Sequence, residues 1–370
     1  MILVLLILLS GCLVYSLLSI VAAWRYLSVH PPAGGPLEPI SVLKPLAGMD
    51  EGLEENLRTF FTQDYPAFEI LFAVREASDP AVAVVRKLQQ EYPEVPSQLI
   101  VTGEPPYPNA KVFSLDTMLS AAANDLVVMS DSDIRVTGNL LSTLAGEFHD
   151  HRVGIATCPY RVVTAASFWS RLEATGLNTE FIAGILVARM LEGMKFALGP
   201  TIAARRSVLQ SIGGFDRLKD YLAEDFVMGK FAAEAGHGVI LSSCVVEHHI
   251  GGSDLRHIVA HRLRWMRSAR RSRPAGYIGQ LFMMPFPLAL LLCAWSTSWW
   301  PVLLPAAALR ILSAYVMSAQ VLKTRLNWLL LPVEDLAAFF FWVAGFFGNT
   351  VVWRGRRYHL RADGRFELTP

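Results

Sequence analysis

Cysteine is scarce in this chain, and the four present, Cys12, Cys158, Cys244 and Cys293, share no CxxC spacing. That pattern argues against a zinc site or a disulfide framework, and two of the four fall in apolar stretches. A reduced setting, with the folded portion facing the cytoplasm, is the simplest expectation. Charge is also scarce: charged residues make up 18% of the chain against 53% hydrophobic, and the net charge is only +1. Without a global positive field, nucleic acid is not an expected partner, while the apolar excess points to a membrane protein. No internal repeat or low-complexity tract is present. No Lys or Arg precedes the first apolar run, so the basic start of a secretory signal is missing.

That run, residues 1–24, is long enough to cross a hydrocarbon core of about 30 Å. Leu9-Ser10-Gly11-Cys12 has the outline of a lipoprotein cleavage box, but the apolar turns beyond Cys12 favour an anchor. The expected orientation puts the N-terminus outside and Arg25 at the cytoplasmic edge. Residues 25–39, rich in Pro and Gly, read as a linker. A second apolar region spans 276–352 in three blocks, Tyr277 to Trp299, Pro301 to Val321 and Trp328 to Val352. Three full crossings there would put Arg354, Arg356 and Arg357 outside, against the positive-inside tendency. One block is therefore expected to be interfacial or re-entrant, and Glu334 with Asp335 makes the third the candidate. A basic tail, 353–370, closes the chain.

Between the linker and these blocks, 40–275, short β-prone runs alternate with amphipathic helical stretches. Ile40 to Leu43, Ile70 to Val74, Leu99 to Thr102 and Leu126 to Met129 are the strands. Gly52 to Thr62 and Ala81 to Tyr92 carry helical periodicity between them. This spacing predicts an α/β domain with a mainly parallel sheet, whose ligands sit beyond the carboxyl ends of the strands. Acidic residues fall at just such ends.

Asp131-Ser132-Asp133 follows an apolar strand. Two carboxylates in this spacing can both reach a divalent cation, Mg²⁺ or Mn²⁺, that bridges a diphosphate. Asp79 precedes a Pro and reads both as a helix N-cap and as a contact to a donor base or ribose. Glu224-Asp225 offers a general base for attack by an acceptor hydroxyl, with Asp225 preferred. His261-x-x-Arg264-Trp265 opens a basic run through Arg273; it suits a diphosphate and an acceptor ring, or anionic headgroups flanking a membrane helix. Lys111 is a candidate phosphate contact. His249, in His248-His249, is a candidate metal ligand beside a structural alternative.

The order Asp79, Asp131-x-Asp133, Asp225, His261-x-x-Arg264-Trp265 resembles the D, D, D, (Q/R)xxRW pattern of lipid-directed, family-2-like glycosyltransferases with a GT-A fold. Ser41-Val42-Leu43-Lys44-Pro45-Leu46, Asn56-Leu57, Gln63-Asp64-Tyr65-Pro66, Leu222-Ala223-Glu224-Asp225 and Trp353-Arg354-Gly355-Arg356-Arg357-Tyr358 are similar to the ceramide glucosyltransferase family. The bacterial hopanoid-modifying glycosyltransferases are similar too. The resemblance, running from about Ile40 to Leu360, implies a GT-A nucleotide-diphospho-sugar transferase domain with one N-terminal and several C-terminal membrane helices. It implies Asp79 on uridine, Asp131 and Asp133 on the diphosphate and its metal, and Asp225 as base. Arg264 and Trp265 would hold the diphosphate and shape the acceptor site. His261 departs from the family's Gln or Arg.

These readings converge on an inverting transferase that uses UDP-glucose or a related UDP-sugar and a divalent cation. The expected acceptor is a membrane lipid, ceramide or a ceramide-like sphingolipid, with a hopanoid as the alternative, in a bacterial inner membrane. A polysaccharide synthase would share the motifs but needs a larger helical bundle to line its channel.

Overall fold

The computed structural model describes residues 2–30, 37–164, 167–353 and 356–369. Part of the linker, 31–36, and Arg354-Gly355 of the tail motif lie outside them. The chain forms two compact units. One comprises His30–Val163 and Met194–Gly251; the other comprises Met1–Val29, Thr164–Gly193 and Gly252–Pro370. The stretch 40–275 is thus shared between both.

The first unit is built on a seven-stranded sheet in the order Ser97–Val101, Phe68–Val74, Ile40–Pro45, Leu126–Ser130, Thr201–Arg205, Val153–Thr157, Gly238–Leu241. Its strands are parallel except Thr201–Arg205, which runs against both neighbours. The central strands are buried along their length, as continuous Val/Ile/Leu runs must be when both faces are covered. Ile40–Pro45 pairs with Phe68–Val74 on one side and Leu126–Ser130 on the other. The strand order reverses there, and the carboxyl ends of such strands open a ligand crevice.

The helix Ala110–Ala121 covers this region, starting where Asn109 accepts from Val112 N at 3.2 Å. Its Val112, Leu115 and Met118 pack with Leu43, Val127 and Ile202 of the sheet and with Val227 and Met228 of the helix Glu224–Glu234. A second sheet orders Ile134–Arg135, Val246–Ile250 and Tyr160–Thr164, with His248 opposite Ile134.

In the second unit, Ile2–Leu27 is a helix of 26 residues, which at about 1.5 Å each exceeds a bilayer core. Leu9 and Cys12 pack on Leu288, Ala289, Leu292 and Ala306, while Leu3, Ile7, Val14 and Trp24 stay exposed. Thr297–Val321 and Trp328–Gly345 are also long and apolar enough to span a membrane, and Pro274–Met283 with Pro285–Trp295 form a pair bent by 66°. The bend therefore falls in the first of the three apolar blocks, where Pro285 interrupts the backbone hydrogen bonds. Glu334 and Asp335 are instead absorbed in the helix Leu331–Gly345. The tail is a small antiparallel sheet of Thr350–Trp353, Arg356–Leu360 and Phe366–Leu368.

Candidate active site

The strand Leu126–Ser130 delivers Asp131 to its carboxyl end, where Lys111 Nζ lies 2.7 Å from Asp131 Oδ1 and 3.2 Å from Glu224 Oε1. Asn109 ties the same corner together: its amide donates to Tyr221 O at 2.9 Å and to Glu224 Oε2 at 3.4 Å. Asp225 is next along, in the first turn of its helix, and lines a pocket with Lys111, Ser130, Asp131, Gly199 and Glu224. Gly199 leaves room for it, since a Cβ there would sit 2.8 Å from Asp225 Oδ2.

Lys44 is fully buried in its strand, over the Phe60 ring at 3.9 Å, and donates to Ser130 Oγ at 3.3 Å and to the Asp131 carbonyl. Burial lowers its ammonium to about 7, against the pull of Asp131 and Asp133. Burial acts on Lys111 in the same direction, but Asp131, Glu224 and Asp225 outweigh it and hold that ammonium above the lysine range. Burial, then Glu224, raises the Asp225 carboxyl to about 6. Burial also raises Asp131, with Lys111 opposing.

Asp133 differs from Asp131. Burial raises its carboxyl, but His248, with Lys44 and Lys111 behind it, outweighs that and holds it below the usual range. His248 Nε2 is 3.0 Å from Asp133 Oδ2, whereas Asp133 Oδ1 is buried with no hydrogen-bond partner among the described residues. An unsatisfied carboxylate oxygen next to a second acid fits a hard cation. Among the described residues no group of three His, Cys, Asp or Glu makes a ready cage. Mg²⁺-type sites need none, because one or two carboxylates are completed by phosphate and water.

The nine residues expected at the site divide. Asp79, Lys111, Asp131, Asp133, Asp225 and His249 belong to the sheet unit, and His261, Arg264 and Trp265 to the other. Lys111, Asp131 and Asp225 come together. Asp79 accepts from Gly48 N at 3.0 Å and from Ala81 N at 2.9 Å, so it fastens the loop after the first strand to a helix start. His249 turns its ring to Glu247 Oε2 at 2.8 Å, and His248 is the imidazole on Asp133. Adjacent strand residues face opposite ways, so one of the pair had to turn aside.

On the helix Leu255–Ser272, His261 and Trp265 are one turn apart with ring centroids at 5.3 Å, and Phe181 packs on Trp265 at 5.7 Å. His261 Nδ1 faces Glu173 Oε1 at 2.6 Å. Sequence reasoning missed Lys44 and His248. A lysine inside an apolar central strand was the available signal for the first; nothing short of the strand pairing marks the second.

A family model described as Glycosyl transferase family 21 matches residues 3–366. Ceramide glucosyltransferase 1 of Caenorhabditis elegans is 31% identical over 243 residues, which cover 64% of this chain and 52% of that protein. The chain thus matches about half the length of that relative. Ceramide glucosyltransferase 3 of the same organism is 24% identical over 88% of this chain and 73% of its own length. A mannosyltransferase from Pyrobaculum calidifontis, solved with GDP-Man and Mn²⁺, has the same GT-A fold: TM-score 0.53 at 21% identity, over 92% of this chain and 97% of that one.

Proposed function

This chain belongs to glycosyl transferase family 21, and from that premise we propose that it moves glucose or a related hexose from a UDP-sugar to a hydroxyl of a membrane lipid, ceramide foremost, with inversion. The observation that carries the reading is the geometry of Asp225, a half-buried carboxyl that lines one pocket with Asp131 and Lys111 and is pushed up to about 6 by desolvation. A base near neutrality beside a diphosphate site is what attack by a lipid hydroxyl requires. The ceramide relatives supply the acceptor class.

Asp225 takes the proton as the hydroxyl oxygen attacks the anomeric carbon opposite the leaving UDP. Asp131 and Asp133 would hold a divalent cation, which would neutralise the departing diphosphate; the solved mannosyltransferase carries Mn²⁺. Lys111 adds a fixed positive charge between Asp131 and Glu224. Asp79 serves the uridine, Arg264 the diphosphate and Trp265 the acceptor side. His261 has Nδ1 committed to Glu173, so a phosphate contact through Nε2–H needs the imidazolium form.

The same account orients the membrane part. Arg267 and Arg270 donate to the carbonyls of Phe346, Phe347, Gly348 and Thr350, just past the last span. The basic helix Leu255–Ser272 and the end of that span then share one face of the bilayer, which demands an even number of crossings between them. Thr297–Val321 and Trp328–Gly345 supply two, leaving the bent pair re-entrant. The positive-inside tendency favours the cytoplasm for this arginine-rich face.

Mass spectrometry of lipids from cells expressing the protein is expected to reveal a new hexosylceramide; an unchanged glycolipid profile would count against the reading. The pH profile is a second check. Because Asp225 must be ionised, kcat/KM is expected to be flat above its value of about 6 and to fall roughly tenfold per unit below it. A profile without that acid limb removes Asp225 as base. Gly199→Ala, which crowds the Asp225 carboxylate, is expected to cost on the order of a hundredfold in kcat with donor KM held. An unaltered kcat would show that the carboxylate position is not critical.

A further inference from the structure

The membrane-helix unit hides a polar cluster in otherwise apolar surroundings. Glu334, 1% exposed, receives Arg262 Nη2 on Oε1 at 2.6 Å. Arg310, 5% exposed, grips Asp335 through Nε and Nη2 at 2.9 and 2.7 Å and also donates to Thr179 Oγ1 at 3.1 Å. Each arginine is therefore spent on one acid. Glu180 Oε2 and Glu334 Oε2 are both buried with no hydrogen-bond partner among the described residues. Leaving such acceptors unmet costs on the order of 1–3 kcal/mol each, and ionisable groups in apolar segments are expected to serve a function.

The backbone around them departs from regular helix. Glu180 sits in a π-helical turn, Leu177–Phe181, and the helix carrying Arg310 ends in another, Val316–Val321. Such turns interrupt regular helices frequently at functional sites. Gly176 admits the Glu334 carboxylate, since a Cβ there would fall 2.3 Å from Oε1 and 3.3 Å from Arg262 Nη2.

We propose that Glu180 and Glu334 receive the polar head of the acceptor lipid, their free oxygens accepting hydrogen bonds from its hydroxyl and amide N–H groups. The inference rests on the reading that the protein glycosylates a membrane lipid. With Arg262 engaged by Glu334 and Arg310 by Asp335, the cluster has no arginine to spare for a phosphate and offers its oxygens to a neutral donor. The cluster therefore selects a ceramide-like head, rich in O–H and N–H, against the bulk phospholipids of the bilayer.

The test uses the full-length protein in nanodiscs with a photoactivatable ceramide. Glu180→Leu is expected to capture about tenfold less ceramide than the wild type, as loss of one hydrogen bond to a carboxylate implies. The KM for ceramide should rise by a similar factor while the UDP-glucose KM and thermal midpoint stay unchanged. Glu180→Gln, which keeps the shape and one of the two acceptor oxygens, guards against misfolding and should shift the ceramide KM in the same direction by a smaller factor. Capture and ceramide KM within twofold of wild type in both variants would overturn the site, as would a wild-type protein that captures no ceramide. Equal shifts in both KM values together with a lowered midpoint would reduce Glu180 to a packing role and also overturn it. If wild type captures ceramide, Glu180→Leu does not, and no sugar is transferred, the head-group site stands and the glucosylation reading falls. Normal transfer that neither variant alters leaves glucosylation standing and overturns the head-group site.

Discussion

Asp225→Asn is expected to cut kcat by at least about a thousandfold, within the range general-base catalysis contributes, while leaving UDP-sugar affinity near wild type. The substitution keeps the side chain's shape beside Gly199 and removes only its ability to take a proton. Isothermal titration with UDP and steady-state kinetics separate the two effects. Glu224→Gln is the informative comparison. Glu224 engages Lys111 and Asn109, so its loss should weaken the arrangement of the diphosphate corner and move donor KM as well. If Asp225→Asn stayed within tenfold of wild type while Glu224→Gln collapsed turnover, the base would be Glu224.

Removal of divalent cations is expected to lower the rate as well, by a smaller factor. Chelation should lower the rate at least about a hundredfold, with recovery on adding Mn²⁺ or Mg²⁺. Asp133→Asn should reproduce the loss and resist rescue by added metal, because the unsatisfied Oδ1 and its neighbour on His248 belong to that carboxylate. An unaffected rate in chelator would transfer the work of charge neutralisation to Lys111.

Much of the sheet unit is legible in the residues themselves. Runs such as Leu126 to Met129 bury both faces and form strands, and the acids that follow them stand at strand ends for the same reason. Asp131, Asp225 and Lys111 meet as their order along the chain suggests. Other features depend on partners distant in sequence. His248 rather than His249 faces Asp133 because Val246–Ile250 pairs with Ile134–Arg135 in one register, and a shift of one residue would exchange the two histidines. Glu334 and Asp335 look unsuited to a span when read alone. Arg262 and Arg310, one of them 72 positions away, come to meet them and allow the helix to remain apolar outside. The bend belongs to the first block, where prolines interrupt the helix, whereas the charge pattern alone points to the third. Lys44 stayed hidden because a strand lysine is usually an edge residue; here it is central, over the Phe60 ring and behind Asp131.

The most direct test is the stereochemistry of the product. Purified protein, ceramide in nanodiscs and UDP-α-glucose should give a hexosylceramide whose anomeric proton, by NMR, has the large coupling of a β-linkage. A product with the α configuration, or release of UDP with free glucose and no glycolipid, would contradict single-step attack by a lipid hydroxyl with Asp225 as base.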